Sequence, residues 1–483
     1  MKKNVFLVAM LGLVLAFGTT VISCGDKGSG DPTSPSSGDD TGDDTIAPDV
    51  PFTGTELGLY IGNATSPQTN TGTLTLALAW LKANAADNTV YTILIGADES
   101  LPATTLGGGS TESVAARKTN VKIIIKGKDT ERKVRLYRSG SLFTIDSGIT
   151  LVLDENITLV GISYNDSPLV QITSASLEMW ENARITGNTS PYGAVHVKSS
   201  STFIMNGSAS VSGNIGTVIS LGDGAYMLTG GGGVSVAGGT FIMNDATTVS
   251  NNTAFSGGGV YNGGTFTMND GATVSGNTTT VPLSLSSSSS YSYGGGVYNG
   301  GTFTMNDSAT VSGNTASSSS GGGVYNNGGT FTMNDSTTVS GNTASTRGGG
   351  VYNGGTFTMN NNASVSDNVV GSSSVSSTRG GGVYNGGTFT MNNRALVSGN
   401  TAYSSNTSYG GGVSNAGTFT MNGGTVYGSD GGASANKLEG SQSYGISLCK
   451  DLSATAPTAE YGNSTPIIAE GQWYSDYTLT GHN

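Results

Sequence analysis

The stretch GGGVYNGGTFTMN, beginning at Gly257, recurs almost letter for letter along the chain. A block repeated this closely must fold the same way each time, so the chain has to be an array of equivalent units. The phenylalanine of the block falls at Phe203, Phe241, Phe266, Phe303, Phe331, Phe357, Phe389 and Phe419. Nine residues after each of the first seven stands a serine: Ser212, Ser250, Ser275, Ser312, Ser340, Ser366 and Ser398. LEMWENARITGN fits the same template with Leu177 in the Phe place, and LVLDENITLVG fits it more weakly from Leu151. That gives ten copies, with shortest spacings of 25 and 26 residues.

One copy has room for three short strands and three turns. TFTMN alternates apolar and polar, the period-2 signature of a strand with one buried face, so Phe266 and Met268 point one way and Thr265 and Thr267 the other. GVYN supplies Val260 on a second strand, and ATVSGN supplies Ala272 and Val274 on a third. Gly, Asn and Asp stand between them, where a turning chain requires positive φ. The copies contain no helical period of apolar residues, which excludes helical and leucine-rich solenoids. The expected fold is all-β: a parallel β-helix with three short strands per rung and about ten or more rungs.

Stacking at about 4.8 Å per rung turns a repeated residue into a column. The expected columns are the phenylalanines above, the methionines from Met205 to Met421, and Val260, Val297, Val324, Val351, Val383 and Val413. Asn269, Asn306, Asn334 and Asn360 are placed to form an amide ladder, each donating to the next. GGGV followed by FxMN resembles the GGA(I/L/V) and FxxN repeats of polymorphic outer-membrane proteins and related bacterial surface adhesins. The chain is also similar to lipid-anchored β-helix repeat proteins of spirochaetes. The resemblance covers Leu151 to about Tyr427 and implies a right-handed helix. Those adhesins end in a membrane β-barrel; we expect none here, with a lipid as the membrane attachment instead.

MKKNVFLVAMLGLVLAFGTTVISC reads as a lipoprotein signal peptide over 1–23. Lys2 and Lys3 form the basic start, Val5 to Phe17 the apolar core, and Val21-Ile22-Ser23-Cys24 resembles the lipobox of bacterial lipoproteins. The resemblance implies that Cys24 is lipidated and that the protein is exported to the outer membrane and the cell surface. Residues 24–51 are rich in Ser, Gly, Pro and Asp and cannot bury a core, so we expect a disordered tether. The pairs Asp39-Asp40 and Asp43-Asp44 suit a self-repelling spacer better than a metal site. Residues 52–150 are expected to hold a capping helix and the first irregular rungs, 151–427 the regular repeats, and 428–483 degenerate final rungs and a C-terminal cap. TLTLALAWLKANA places Leu74, Ala77, Leu78 and Leu81 on one helical face, with Trp80 packing beside them. Cys449, beside Leu448, reads as a buried, inert thiol.

The candidate binding surface is the column Tyr261, Tyr298, Tyr325, Tyr352 and Tyr384, which alternation points outward. Such a ladder either stacks on sugar rings or stacks on itself and stiffens the fold. Insertions at 278–293, 369–379 and 401–409 all fall between the SGN asparagine and the next GGGV, so they must emerge at one corner. Confinement to one face fits either a binding face or slack in Ser-rich turns. Arg347 and Arg379 precede GGGV at equivalent places and suit a shallow anion contact or a solvated turn. Asp245, Asp270, Asp307 and Asp335 stand singly at turns, and His196 has Lys198 nearby but no acid partner in sequence. We therefore expect no cofactor, no metal and no catalytic set. A net charge of −12 without a basic stripe argues against nucleic acid as a partner. The expected function is a non-catalytic, monomeric surface adhesin or scaffold for host matrix protein, glycan or neighbouring cells. The alternatives are a polysaccharide lyase or hydrolase on the same fold, and a purely structural spacer.

Overall fold

The structure, a computed structural model, describes residues 54–69, 72–222, 225–228, 230–281, 292–439, 442–444, 448–451, 460–461, 467–469, 472–475 and 478–480. The expected signal peptide, Cys24 and tether lie outside the described residues, as do the middle of the 278–293 insertion, the side chain of Cys449 and His482. The chain forms a right-handed parallel β-helix with a short N-terminal helix. Among the described residues, three long sheets of 13, 14 and 14 strands run along it.

Each regular rung contributes one strand to each long sheet, in strict register. Thr265–Met268 pairs with Thr302–Met305, Val260–Asn262 with Val297–Asn299, and Thr273–Ser275 with Thr310–Ser312. We name these the Phe sheet, the Tyr sheet and the TVS sheet. The inward residues make the expected columns. Successive phenylalanines from Phe203 to Phe419 stack with ring centroids 4.7–4.9 Å apart and planes within 10°. The Met and Val columns are buried with them in one continuous core.

A fourth sheet was not expected. Thr253–Ala254, Thr278–Thr279, Thr315–Ala316 and Thr343–Ala344 are two-residue strands in a nine-stranded short sheet. It buries a second small cluster of Ala316, Ala344, Val370 and Ala402 beneath the insertion corner. Each rung is thus four-sided, because the SGN asparagine turns the chain and two further residues still pair before it leaves.

That asparagine is fully buried. Asn277 Nδ2 donates to Asn314 Oδ1 at 3.0 Å and to the Val249 carbonyl at 2.9 Å. Asn277 Oδ1 accepts from the Asn252 amide N–H at 3.0 Å and from Asn252 Nδ2 at 3.1 Å. Both donors and both lone-pair positions are filled, so burial leaves nothing unpaired. A second buried ladder runs from Asn262 to Asn415 at 2.6–2.8 Å. The expected ladder through Asn269, Asn306, Asn334 and Asn360 is present at 2.8–2.9 Å, but each amide donates to the preceding rung rather than the next. Asp245, Asp270, Asp307 and Asp335 follow it in the left-handed region, with φ between 53° and 58°, where Asp and Asn are favoured.

The N-terminal end is closed by α1 (Leu74–Asn84). Its buried residues Leu74, Ala77, Leu78 and Leu81 join the core, and Trp80 packs edge-on to Tyr91 at 6.3 Å. Thr73 caps it by accepting from the Leu76 N–H. Glu99, on the first rung, accepts from the Leu74 and Thr75 N–H groups, so a carboxylate sits at the positive end of the helix. The strand Gly58–Ile61 covers the first edge of the Phe sheet by antiparallel pairing with Val90–Ile95. At the far end, Gln472–Ser475 pairs antiparallel with Leu448–Asp451, and Leu479–Thr480 with Thr425–Val426. Both ends thereby interrupt the parallel stacking that an open edge invites.

Candidate functional site

The glycine triplet makes the corner at which everything unusual collects. Gly257 has φ 62°, and a Cβ there would lie 2.4 Å from the Val260 carbonyl oxygen. The chain therefore doubles back within three residues. Gly295 explains the next place: a Cβ would lie 2.4 Å from the Gly322 carbonyl oxygen of the following rung. With no side chains between them, the residue before one triplet comes into contact with the tyrosine after the next triplet. Tyr293 packs on Tyr325 at 4.5 Å, and the Arg347 guanidinium lies 5.3 Å from the Tyr384 ring.

The tyrosine column is self-stacked. Tyr261, Tyr298, Tyr325, Tyr352 and Tyr384 follow one another at 4.7, 5.5, 4.4 and 5.1 Å, nearly parallel. Alternation does place them on the outer side, but neighbours occupy their faces, so edges and hydroxyls are what they offer to solvent. Tyr384 is buried, at 8% exposed, because Arg347 covers its ring. Burial raises the phenol pKa of Tyr261 and Tyr298, with Tyr261 adding to the effect at Tyr298. Tyr325 is raised further, by burial first and then by Tyr352, Tyr293 and Tyr298. These phenols remain protonated donors at neutral pH.

The column in front of the glycines holds the arginines. The backbone bridges Ser320 to Arg347 and Arg347 to Arg379, and Arg379 pairs onward with Tyr409. The Arg379 guanidinium lies 5.1 Å from the Tyr409 ring. Together with Tyr293, Tyr325 and Tyr352, the two arginines line a cleft of about 590 Å³. Hydroxyls of Ser319, Ser320, Thr346 and Ser377 complete the wall, with Ser320 and Thr346 hydrogen-bonded to each other at 3.1 Å. Neither guanidinium is ion-paired among the described residues.

The insertions are ordered structure rather than slack where they are described. Val369–Ser372 extends the short sheet, and Ser377–Arg379, Thr407–Tyr409 and Gln442–Tyr444 make a further three-stranded parallel sheet beside the cleft. An insertion that sequence reading missed forms an antiparallel hairpin from Val218–Gly222 and Ala225–Leu228. It leaves the same corner, and its placement between Asn214 and Gly231 is the signal that could have found it.

Other singled-out residues do not join the cleft. His196 stacks on Tyr192 at 5.3 Å, and its pKa is pushed down to about 4 by burial, with Lys198 adding. Asp245 Oδ2 accepts from the Gly207 N–H at 2.8 Å, and Asp270 Oδ2 from the Asp245 N–H at 3.2 Å, which is work within the turns. Among the described residues no group of three or more His, Cys, Asp or Glu is placed to hold a metal ion. A second, shallower groove on the TVS sheet is lined by Glu131, Lys133, Arg135 and Arg184. Comparison with family models, curated proteins and solved structures finds no match for this chain.

Proposed function

We propose that this is a non-catalytic, lipid-anchored surface protein whose β-helix presents one corner to a ligand on host matrix, glycan or a neighbouring cell. The carrying observation is convergence. The described parts of the insertions, the Arg347–Arg379 pair and the tyrosine column meet at the glycine corner and enclose one cleft. In this reading Cys24 carries the acyl chains, the segment to residue 51 spaces the solenoid from the outer membrane, and a single chain suffices for binding.

The test has two arms. Purified full-length chain is applied to arrays of matrix proteins and glycans, and intact cells are treated with protease. Binding to an array member and release of the solenoid from cells are expected; absence of both refutes adhesion. Cys24→Ala is expected to abolish fatty-acid labelling and move the protein out of the membrane fraction. Retention of label overturns the anchor assignment.

A second reading, polysaccharide cleavage, draws on the groove of Glu131, Lys133, Arg135 and Arg184, where the Thr158 hydroxyl donates to Glu131 at 2.6 Å. New unsaturated or reducing ends after incubation with pectin, alginate or glycosaminoglycans support it; unchanged polymer argues against it.

A further inference from the structure

Two cations stand on adjacent rungs, and among the described residues neither has an ion-pair partner. Between Gly257 and Tyr427 the charged residues are Asp270, Asp307, Asp335, Asp367, Arg347, Arg379 and Arg394. Asp270, Asp307 and Asp335 sit in the turn after the Phe sheet and Asp367 in the turn between the TVS sheet and the short sheet, so none is at the glycine corner. Arg347 and Arg379 are on adjacent rungs, bridged through their backbones, so the two positions repeat at about the 4.8 Å rung spacing. Like charges at that spacing repel. Each guanidinium lies over a tyrosine ring, a contact that leaves the N–H groups of a guanidinium able to donate to a ligand.

The rest of the wall is rich in hydroxyl donors. Thr346 and Ser377 flank the arginines, and Tyr325 keeps its proton. The aromatic faces are already occupied, so a sugar ring cannot stack there. What the cleft offers is a short row of positive or neutral hydrogen-bond donors repeating along the stack. A fork of guanidinium N–H groups suits carboxylate and sulfate. We infer that the cleft is a subsite for an acidic polysaccharide, one bearing a carboxylate or sulfate on successive units, lying along the rung direction. This rests on the adhesive reading above and narrows its ligand class.

The experiment uses immobilised full-length chain and four probes: polygalacturonate for carboxylate, dextran sulfate for sulfate, uncharged dextran, and phosphatidylglycerol vesicles. At least one acidic polymer is expected to bind, more weakly as salt rises, while dextran and vesicles do not. Arg347→Gln and Arg379→Gln are each expected to weaken binding at least tenfold, with circular dichroism and unfolding midpoint unchanged. Arg394→Gln, in the turn after the Phe sheet, controls for loss of general charge and should leave affinity within twofold. Equal binding of dextran, tighter binding of vesicles, or full affinity in the Arg347→Gln/Arg379→Gln double variant overturns the inference. If matrix proteins or neutral glycans bind and acidic polymers do not, this inference falls and adhesion stands. If nothing binds here or on the arrays, this inference falls, and adhesion falls with it when protease also releases no solenoid from cells.

Discussion

The irregular rungs before residue 200 and the regular rungs after 230 share one core but hold their layers together differently. In the first, the inward residues vary: Ile123 stacks on Leu151, then Leu177, then Phe203. Their outer face carries ion pairs that cross rungs, Lys126 with Asp154 at 3.1 Å and Glu155 at 3.3 Å, and Lys122 with Glu178 at 3.3 Å. In the second, like stacks on like, and among the described residues from 231 to 427 there is no ion pair. The contrast has an electrostatic origin. An amide has a donor and an acceptor, and a ring has two faces, so each can satisfy a copy of itself. A charge cannot, because identical charges in a column repel, and the turn aspartates Asp245, Asp270 and Asp307 persist where each carboxylate accepts from a backbone N–H of the preceding rung. Repetition therefore selects Asn, Phe, Met, Val and Gly, and it expels Lys and Glu.

This contrast can be broken most forcefully in the core. Phe303→Ala and Phe331→Ala should each cost about 3–5 kcal/mol in guanidinium unfolding. Because their surroundings are copies, the two losses should agree within about 0.5 kcal/mol. Leu151→Ala and Leu177→Ala, in unlike surroundings, should differ by more. Equal spreads in the two regions contradict the comparison. Next in size is the buried amide column. Asn314→Ala strips the partner from the Asn277 N–H and a donor from the Val274 carbonyl, a loss of about 2–4 kcal/mol. Thr158→Val, which removes a single hydroxyl donor to Glu131, should cost about 1 kcal/mol by the same measurement.

His196 sharpens the boundary between the two regions. Its column reads Gln171, His196, Ser235, Tyr261, so it stands where the mixed column gives way to tyrosine. Its pKa falls from 6.5 to about 4 on folding. Within that window the unfolded chain binds a proton that the folded chain refuses, so stability is lost as pH falls, by up to about 3 kcal/mol. His196→Gln should flatten that part of a stability–pH profile; an unaltered slope rejects the assignment. The smallest effect is expected at Lys126, where Lys126→Ala should cost about 0.5–1 kcal/mol. One molar salt should lower amide-exchange protection around residues 122–178 and leave the regular rungs unchanged. Uniform loss along the chain tells against ion pairing as a regional device.

The parts legible in sequence are those with a period. Phe266 and Met268 announce a strand because two apolar residues alternate with threonine, and Leu74, Ala77, Leu78 and Leu81 announce α1 by helical spacing. Thr315–Ala316 is too short to show any period, so the fourth side of the rung stayed hidden. Asn277 looked like an ordinary turn residue, since nothing in one copy reveals that its partners are its own images in the rungs before and after. The cleft was visible only in pieces. Arg347 and Tyr384 belong to different copies, and their contact is made by the step between rungs. The occupied tyrosine faces follow from the same step, which leaves no gap for a sugar ring between one phenol and the next.

The uniform glycine corner also governs how the protein can change length. The second and third glycines of each triplet donate to the next triplet, as from Gly322 to the Gly348 carbonyl and from Gly349 to the Gly380 carbonyl, and the first donates to the residue just before it, as from Gly321 to the Arg347 carbonyl. Loss or duplication of a whole period joins surfaces already made for each other, so variants would differ in reach while keeping the same ends. A cut of any other size within the strands and tight turns misaligns the columns, whereas the insertions at the glycine corner vary in length without disturbing the register. The molecule is in this sense modular, and its natural increment is one turn.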